Sequence, residues 1–270
     1  MCFYPFLYRQ SGVITKIDPV WSKKFSELKG KPALFQGLSE DALQQILENS
    51  VLQNFESGQI LVQQGDEPSY LYFVVEGRIR TLRSNLDGGE ATIRMLEPGD
   101  TCMEAVLFMG GPSPIVVQAA DHSRLMLIPA NFVKKFVLKN HQFSNNLLRI
   151  VSRHYKNAMH QIDSMSIKTP VQSVGYYFLQ KHLEHGSETM EFELPFKKST
   201  IANHLGITPE TFSRALTQIK KMGVNIEGEK IKLKDAYSLC HFCDMDTAHT
   251  CALSNKEDCP YCPLHKDACH

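Results

Sequence analysis

The segment STIANHLGITPETFSRALTQIKKMG, residues 199–223, decides the fold of this chain. Ser199 to Leu205 read as a first helix with Ile201 and Leu205 turned inward. Gly206 supplies a tight turn and Ile207 anchors it. Thr208 is a good N-cap, and Pro209 occupies the first turn of the next helix, where a missing N–H costs nothing. That second helix carries Phe212, Leu216 and Ile219 on one face and Glu210, Ser213, Arg214 and Gln218 on the other. Two short helices joined in this way form a helix-turn-helix, and the strand pair VNIEGEKIKL (224–233), turning at Gly228, forms a wing. The chemistry suits double-stranded DNA. Arg214 can pair bidentately with guanine, Glu210 can accept from cytosine N4, and Ser213 can bond to either partner. Lys197, Lys198, Lys220 and Lys221 flank the motif and can neutralise phosphates, and Thr200 and Thr208 complete the candidate DNA-binding set.

Upstream, MEFELPF (190–196) has strand character and VQSVGYYFLQKHLEHG (171–186) reads as a helix ending at Gly186. Thr169-Pro170 breaks the chain before it and marks a domain boundary. Phe143, Leu147, Ile150, Val151, His154, Ala158, Ile162 and Met165 fall at helical spacing and form one stripe. A stripe of this length is more than a small barrel needs for cover, so it predicts a two-helix coiled-coil dimer, with a helix lying on the barrel as the alternative. Before Pro129 the pattern is instead one of short strands: GQILVQQG, YLYFVVEGRIRTLRS, EATIRMLEPGD, PIVVQAA and SRLMLIP. Glycines at 58, 65, 77, 88, 89 and 99 are spaced as hairpin corners, and Asp87-Gly88 is a strong two-residue turn. Many short strands with regular turns predict a barrel or jelly roll. A short helix, GLSEDALQQILENS (37–50), precedes them, with Ser39 as its N-cap.

Downstream, six of the eight cysteines fall in the last 33 residues, 238–270. Cys240, Cys243, Cys259 and Cys262 have the spacing C-x2-C-x15-C-x2-C. Each Cys-x-x-Cys can turn two thiolates toward one ion, and four sulfurs suit zinc or an iron–sulfur cluster. Cys251 and Cys269, with His241, His249, His265 and His270, exceed the needs of one ion and can complete a second site or exchange as ligands. The chain has 270 residues, a formal net charge of zero and 43% hydrophobic residues. Attraction for nucleic acid must therefore be local. No run of about 18 apolar residues is present, so no membrane span is expected, and the N-terminus lacks the pattern of a signal peptide. A cytoplasmic protein keeps its thiols reduced, which favours a metal site over disulfides in the tail. Neither H-x-E nor H-E-x-x-H occurs in the tail, so a metal-dependent enzyme is not expected.

A barrel containing EPGDTCMEAVLF (97–108), a long helix and a winged helix-turn-helix together resemble the CRP/FNR family of bacterial transcription regulators over about residues 35–235. PETFSRAL (209–216) resembles the FNR-type recognition helix, whose pattern E-x-x-S-R falls on Glu210, Ser213 and Arg214. The resemblance implies an α+β chain. Its expected parts are an N-terminal arm (1–34), a jelly-roll sensor domain like those that bind cyclic nucleotides (35–138), a dimerisation helix (139–168), a winged helix-turn-helix (169–237) and a cysteine-rich metal-binding tail (238–270). It also implies a homodimer on a palindromic operator resembling TTGAT-N4-ATCAA, contacting RNA polymerase nearby, as an activator or a repressor. Relatives that bind cyclic nucleotides carry a Gly-Glu pair and then an Arg-Ser or Arg-Thr pair. Here Met103-Glu104 and Gly111-Pro112-Ser113-Pro114 stand instead, so Glu104 remains as a pocket residue without the phosphate-gripping arginine and cyclic AMP is not expected. The N-terminal cysteine cluster of FNR-type oxygen sensors is reduced to Cys2. Two signal routes follow: a redox-, oxygen- or nitric-oxide-responsive metal centre in the tail, or an effector or haem in the barrel region near Cys102, His154 and His160, with the tail a structural zinc module.

Overall fold

The architecture is α+β in a computed structural model that describes residues 15–16, 32–84, 90–185, 190–235 and 237–251. Two compact units divide the chain, residues 1–155 and 156–270.

In the first unit, β1 (Thr15–Lys16), β2 (Val51–Phe55), β9 (Ser123–Pro129), β4 (Tyr70–Glu76) and β7 (Thr101–Cys102) form one antiparallel sheet in the order β1-β2-β9-β4-β7. A second antiparallel sheet runs β3-β8-β5-β6, from β3 (Ile60–Val62), β8 (Val116–Ala119), β5 (Ile79–Ser84) and β6 (Glu90–Leu96). Both contribute to one core, in which Phe73, Ile79, Leu96 and Leu125 are fully buried. This is the expected jelly roll. Five consecutive residues of β4, Leu71–Val75, are buried where simple alternation would bury every second one. Strands covered on both faces lose the polar half of the pattern, and α3 (Ala130–Val137) packs on both β4 and β9. Between β4 and β5 the turn requires Gly77. Its φ is 74°, and a Cβ would lie 2.4 Å from the carbonyl oxygen of His122. The expected Asp87-Gly88 turn lies outside the described residues, although the strands on either side of it pair from Ile79↔Leu96 to Ser84↔Glu90.

Helix α1 (Glu40–Glu48) is capped as expected, the Ser39 hydroxyl accepting from Ala42 N–H at 3.2 Å. Helix α4 (His141–Ser166) differs from its expectation. The single stripe resolves into two faces. Phe143, Leu147 and Ile150 are buried in the core, whereas Ile162 and Met165 are exposed, and Leu148, Tyr155 and Met159, which the stripe omitted, are exposed with them. Buried Asn146 holds the N-terminal half of α4 in place, its Nδ2 donating to the carbonyls of Leu34 at 3.0 Å and Gln36 at 2.8 Å.

In the second unit Thr169 and Gln172 form a capping box around the first turn of α5 (Pro170–His185). The expected strand near MEFELPF is β10 (Glu191–Glu193). Helices α6 (Lys198–His204) and α7 (Pro209–Lys221) follow, then β11 (Val224–Glu227) and β12 (Lys230–Leu233), in a small antiparallel sheet ordered β10-β12-β11. A 3-10 turn, Cys240–Phe242, and α8 (Met245–Thr250) lead to the end of the described chain. Among the described residues no helix is long and apolar enough to cross a membrane.

Candidate nucleic-acid interface

The turn between α6 and α7 is fixed by backbone chemistry. Gly206 has φ 68°; its N–H donates to Asn203 O at 3.1 Å, and Ile207 N–H donates to Ala202 O at 3.0 Å. This paired closure around a left-handed glycine ends α6 and redirects the chain. Gln161 Nε2 adds a bond to the last carbonyl of α6, that of His204, at 2.9 Å. Thr208 then caps α7, its Oγ1 accepting from Thr211 N–H at 3.2 Å, with Pro209 as the first helical residue. Phe212, Ala215, Leu216 and Ile219 are buried, so the helix is oriented by its apolar side.

The other side of α7 is solvent-facing. Glu210, Ser213, Arg214 and Gln218 are all exposed, as is Thr217, which the sequence reading did not single out. Thr217 follows Ser213 by one turn and donates to its carbonyl at 3.1 Å. The Glu210 carboxyl is held below its ordinary range by its own backbone N–H at the helix start, then by the Thr208 hydroxyl and the Arg214 charge. It is thus an acceptor at neutral pH. Lys197 is exposed just before α6, Lys198 opens it half-buried, and Thr200 lies half-buried in its first turn. On the sheet, β11 and β12 pair from Val224↔Leu233 to Glu227↔Lys230, and Gly228, φ 60°, lies in the turn that joins them. A helix presenting Arg, Glu and hydroxyls in one row offers donors and acceptors matched to base edges in a major groove.

The cysteine segment follows the wing. Cys240 is buried, and Cys243 and Cys251 are half-buried; Cys259, Cys262 and Cys269 lie outside the described residues. The Cys243 N–H donates to Cys240 O at 3.0 Å, closing a turn with one thiol at each end. Two thiols so placed fit half of a tetrahedral sulfur site, and the other half of the spacing is the second Cys-x-x-Cys. Among the described residues no group of three or more His, Cys, Asp or Glu side chains is placed to hold a metal ion. Phe242, between the two cysteines, lies flat on α5, and a Cβ on buried Gly175 would meet its ring at 2.4 Å. That close approach explains a glycine inside a helix.

In the barrel, Glu104 begins α2 (Glu104–Met109) and is 2% exposed. It accepts a hydrogen bond from the Thr101 hydroxyl and faces Arg94 Nη1 at 3.7 Å. Arg94 was missed by the sequence reading, although the alternation Thr92, Arg94, Leu96 on β6 turns it inward. Its Nη2 donates to Thr101 O at 3.0 Å and meets His154 Nε2 at 2.7 Å. A guanidinium has no acceptor, so Nε2 accepts and the ring is neutral. Burial, with Arg94 and Arg153 alongside, lowers the His154 pKa to about 3. Burial also pushes the Cys102 thiol up to about 12. An engaged His154 and a protonated, buried Cys102 are a poor fit for haem ligation.

Comparison with known proteins places these features. The family model described as the cyclic nucleotide-binding domain matches residues 52–140, and that of the Crp-like helix-turn-helix domain matches residues 175–242. The chain is 28% identical over 204 residues to the "Anaerobic regulatory protein" of Pasteurella multocida (strain Pm70), covering 74% of this chain and 73% of that one. It is 26% identical over 209 residues to the "Transcriptional activator protein FnrA" of Stutzerimonas stutzeri, covering 74% and 82%. Among solved structures, FixK2 from Bradyrhizobium japonicum shares the fold with a TM-score of 0.65 at 21% identity, over 72% of this chain and 98% of that chain.

Proposed function

We propose, from the premise that this chain belongs to the CRP/FNR family of DNA-binding transcription regulators, that it acts as a cytoplasmic homodimer on a palindromic operator and takes its signal at a C-terminal cysteine-bound metal centre. The observation that carries the DNA reading is the exposed row Glu210, Ser213, Arg214 on a capped helix whose other face is buried. Arg214 reads guanine, Glu210 accepts from a cytosine amine and Ser213 bonds to a neighbouring edge or phosphate. Lys197, Lys198, Thr200 and Thr208 hold the backbone and set the register. Two copies place two such helices on half-sites about one helical turn apart, which requires the operator to be palindromic. Bound there, the dimer contacts RNA polymerase and activates.

The signal reading is supported by the relatives named as anaerobic regulators and by the thiol pair on the closed turn at Cys240 and Cys243. Cys259 and Cys262, with Cys251 and Cys269 in reserve, complete the set. An iron–sulfur cluster supplies sensitivity to oxygen or nitric oxide, and zinc supplies a structural or thiol-redox site. A second reading puts the signal in the barrel and leaves zinc in the tail. The partly buried Glu104–Arg94–His154 chain favours it, because it runs from the pocket helix α2 to the long helix α4 within one unit.

Anaerobic purification, an absorbance spectrum, iron, sulfide and zinc analysis, and a gel shift on TTGAT-N4-ATCAA DNA before and after air test the proposal together. A brown protein containing iron, bleaching in air with a change in DNA affinity, is the expected result. A colourless zinc protein whose DNA binding ignores air transfers the signal to the barrel.

A further inference from the structure

The C-terminal segment grips the end of the long helix through a compact set of charges. Asp244, next to Cys243, caps α8 by accepting from Thr247 N–H at 2.9 Å through Oδ1. Its Oδ2 lies 3.6 Å from Lys168 Nζ and 3.9 Å from His160 Nδ1. Asp246 Oδ2 lies 3.6 Å from His160 Nε2 and 4.0 Å from Lys156 Nζ. Tyr176 sits beneath the contact, its hydroxyl 3.3 Å from His160 Nδ1 and 3.2 Å from Thr247 Oγ1. Lys168 Nζ stands 3.5 Å over the Tyr176 ring.

Two features give this contact more than surface weight. The side chains of His160 and Lys168 are only 14% and 19% exposed. The Lys168 ammonium is buried with no hydrogen-bond partner among the described residues, so Asp244 and the Tyr176 ring carry its neutralisation. Releasing Asp244 would leave that charge buried with only the Tyr176 ring against it among the described residues, which is unfavourable. Breaking the contact would therefore require Lys168 to rearrange. Lys156 and His160 lie one turn apart on α4, adjacent in sequence to the exposed Tyr155 and Met159.

We propose that Asp244 and Asp246 form a buckle by which the ligation state of Cys240 and Cys243 reaches the C-terminal end of α4. This rests on the reading that the C-terminal cysteines hold a metal centre. Ligation of Cys243 fixes the residue that precedes the Asp244 cap, and keeps the buckle closed on Lys156, His160 and Lys168. Removing the centre frees the turn, opens the buckle and loosens the helix segment beside the exposed apolar residues.

The test is hydrogen exchange read by mass spectrometry on the full chain purified anaerobically, following peptides over residues 156–168, with metal content measured on every sample. Three samples are compared: wild type, wild type stripped by chelator, and D244N/D246N. Asparagine retains the cap while removing the charge. Exchange about three- to tenfold faster over 156–168 is expected both in the stripped protein and in the metal-loaded variant, the size appropriate to partly exposed ion pairs. The peptide over 209–221 should be unchanged and serves as the folding control. A variant that keeps its metal and exchanges like wild type overturns the buckle while the metal reading stands. Faster exchange in the variant with none on stripping reduces the contact to a static brace and overturns the coupling. A wild type that binds no metal sinks the underlying reading and the coupling with it, and the brace alone is then judged from the variant. If D244N/D246N also loses protection over 209–221, K156Q/H160Q makes the same test from the helix side.

Discussion

Met103 has φ 82°, the one positive value among the described residues other than glycine. The backbone at this N-cap of α2 suits glycine, and a methionine there costs about 1–2 kcal/mol. The side chain is nonetheless 2% exposed and part of the core. Removing a buried methionine costs about 2–5 kcal/mol, so burial outweighs strain. Met103→Gly should lower stability, and Met103→Ala should lower it further by about 1 kcal/mol, because alanine leaves a cavity while keeping the strained φ. Urea denaturation of the two variants decides it; an alanine variant as stable as the glycine one sinks the argument. The proposed reading of guanine by Arg214 belongs to the same scale. Arg214→Ala should weaken operator binding about ten- to 100-fold, with little change on unrelated DNA, and Arg214→Lys should not rescue it, since an ammonium lacks the bidentate fork. A titration with operator and scrambled duplexes reads both. The exposed placement of Glu210, Ser213 and Arg214 was legible because cap, proline and apolar spacing fix the phase of α7. Arg94 was not, because one charged residue on a barrel strand reads as solvent-facing until its neighbours are known to point inward.

At the scale of the element, periodicity identified α4 but not which side meets what. Phe143 and Ile162 belong to faces that spacing alone merges, since a helix packed on a core in one half and exposed in the other needs two stripes that drift past each other. The tail was legible by spacing only as a set of thiols; its docking on α5 depends on Phe242, an aromatic that local pattern does not assign. This contact has a consequence for Gly175. In an exposed helix interior, glycine to alanine gains about 1 kcal/mol. Here the added methyl meets the Phe242 ring at 2.4 Å, so Gly175→Ala should instead cost about 1–3 kcal/mol. In a Phe242→Ala background the sign should reverse, the methyl then occupying vacated space. Thermal melts of the two single variants and the double variant close the cycle. Additive effects would mean that the ring does not stand on the glycine in solution.

For the whole molecule the formal charge is zero, so affinity for DNA cannot come from a general field and must come from local surfaces, two of which the proposed homodimer brings together. Leu148, Tyr155 and Ile162 recur every seven residues on α4 and are 65%, 68% and 53% exposed. Met159, at 40%, lies between Tyr155 and Ile162, and Met165, at 61%, follows Ile162. Large apolar side chains at heptad spacing suit the seam of a two-stranded coiled coil, so in the homodimer proposed above Leu148, Tyr155 and Ile162 should meet their counterparts in a second copy. Leu148→Asp with Ile162→Asp places a charge on each chain opposite its like, without touching the buried Phe143, Leu147 and Ile150. The variant should sediment as a folded monomer where the wild type sediments as a dimer. Its operator affinity should fall by about 100-fold or more, because each recognition helix then binds its half-site without the effective concentration supplied by the other. Affinity for a single half-site should stay unchanged, which separates loss of pairing from loss of the reading head. A variant that remains dimeric in sedimentation would move the subunit contact off α4, and the phase relation between two half-sites would have to be set by a different surface.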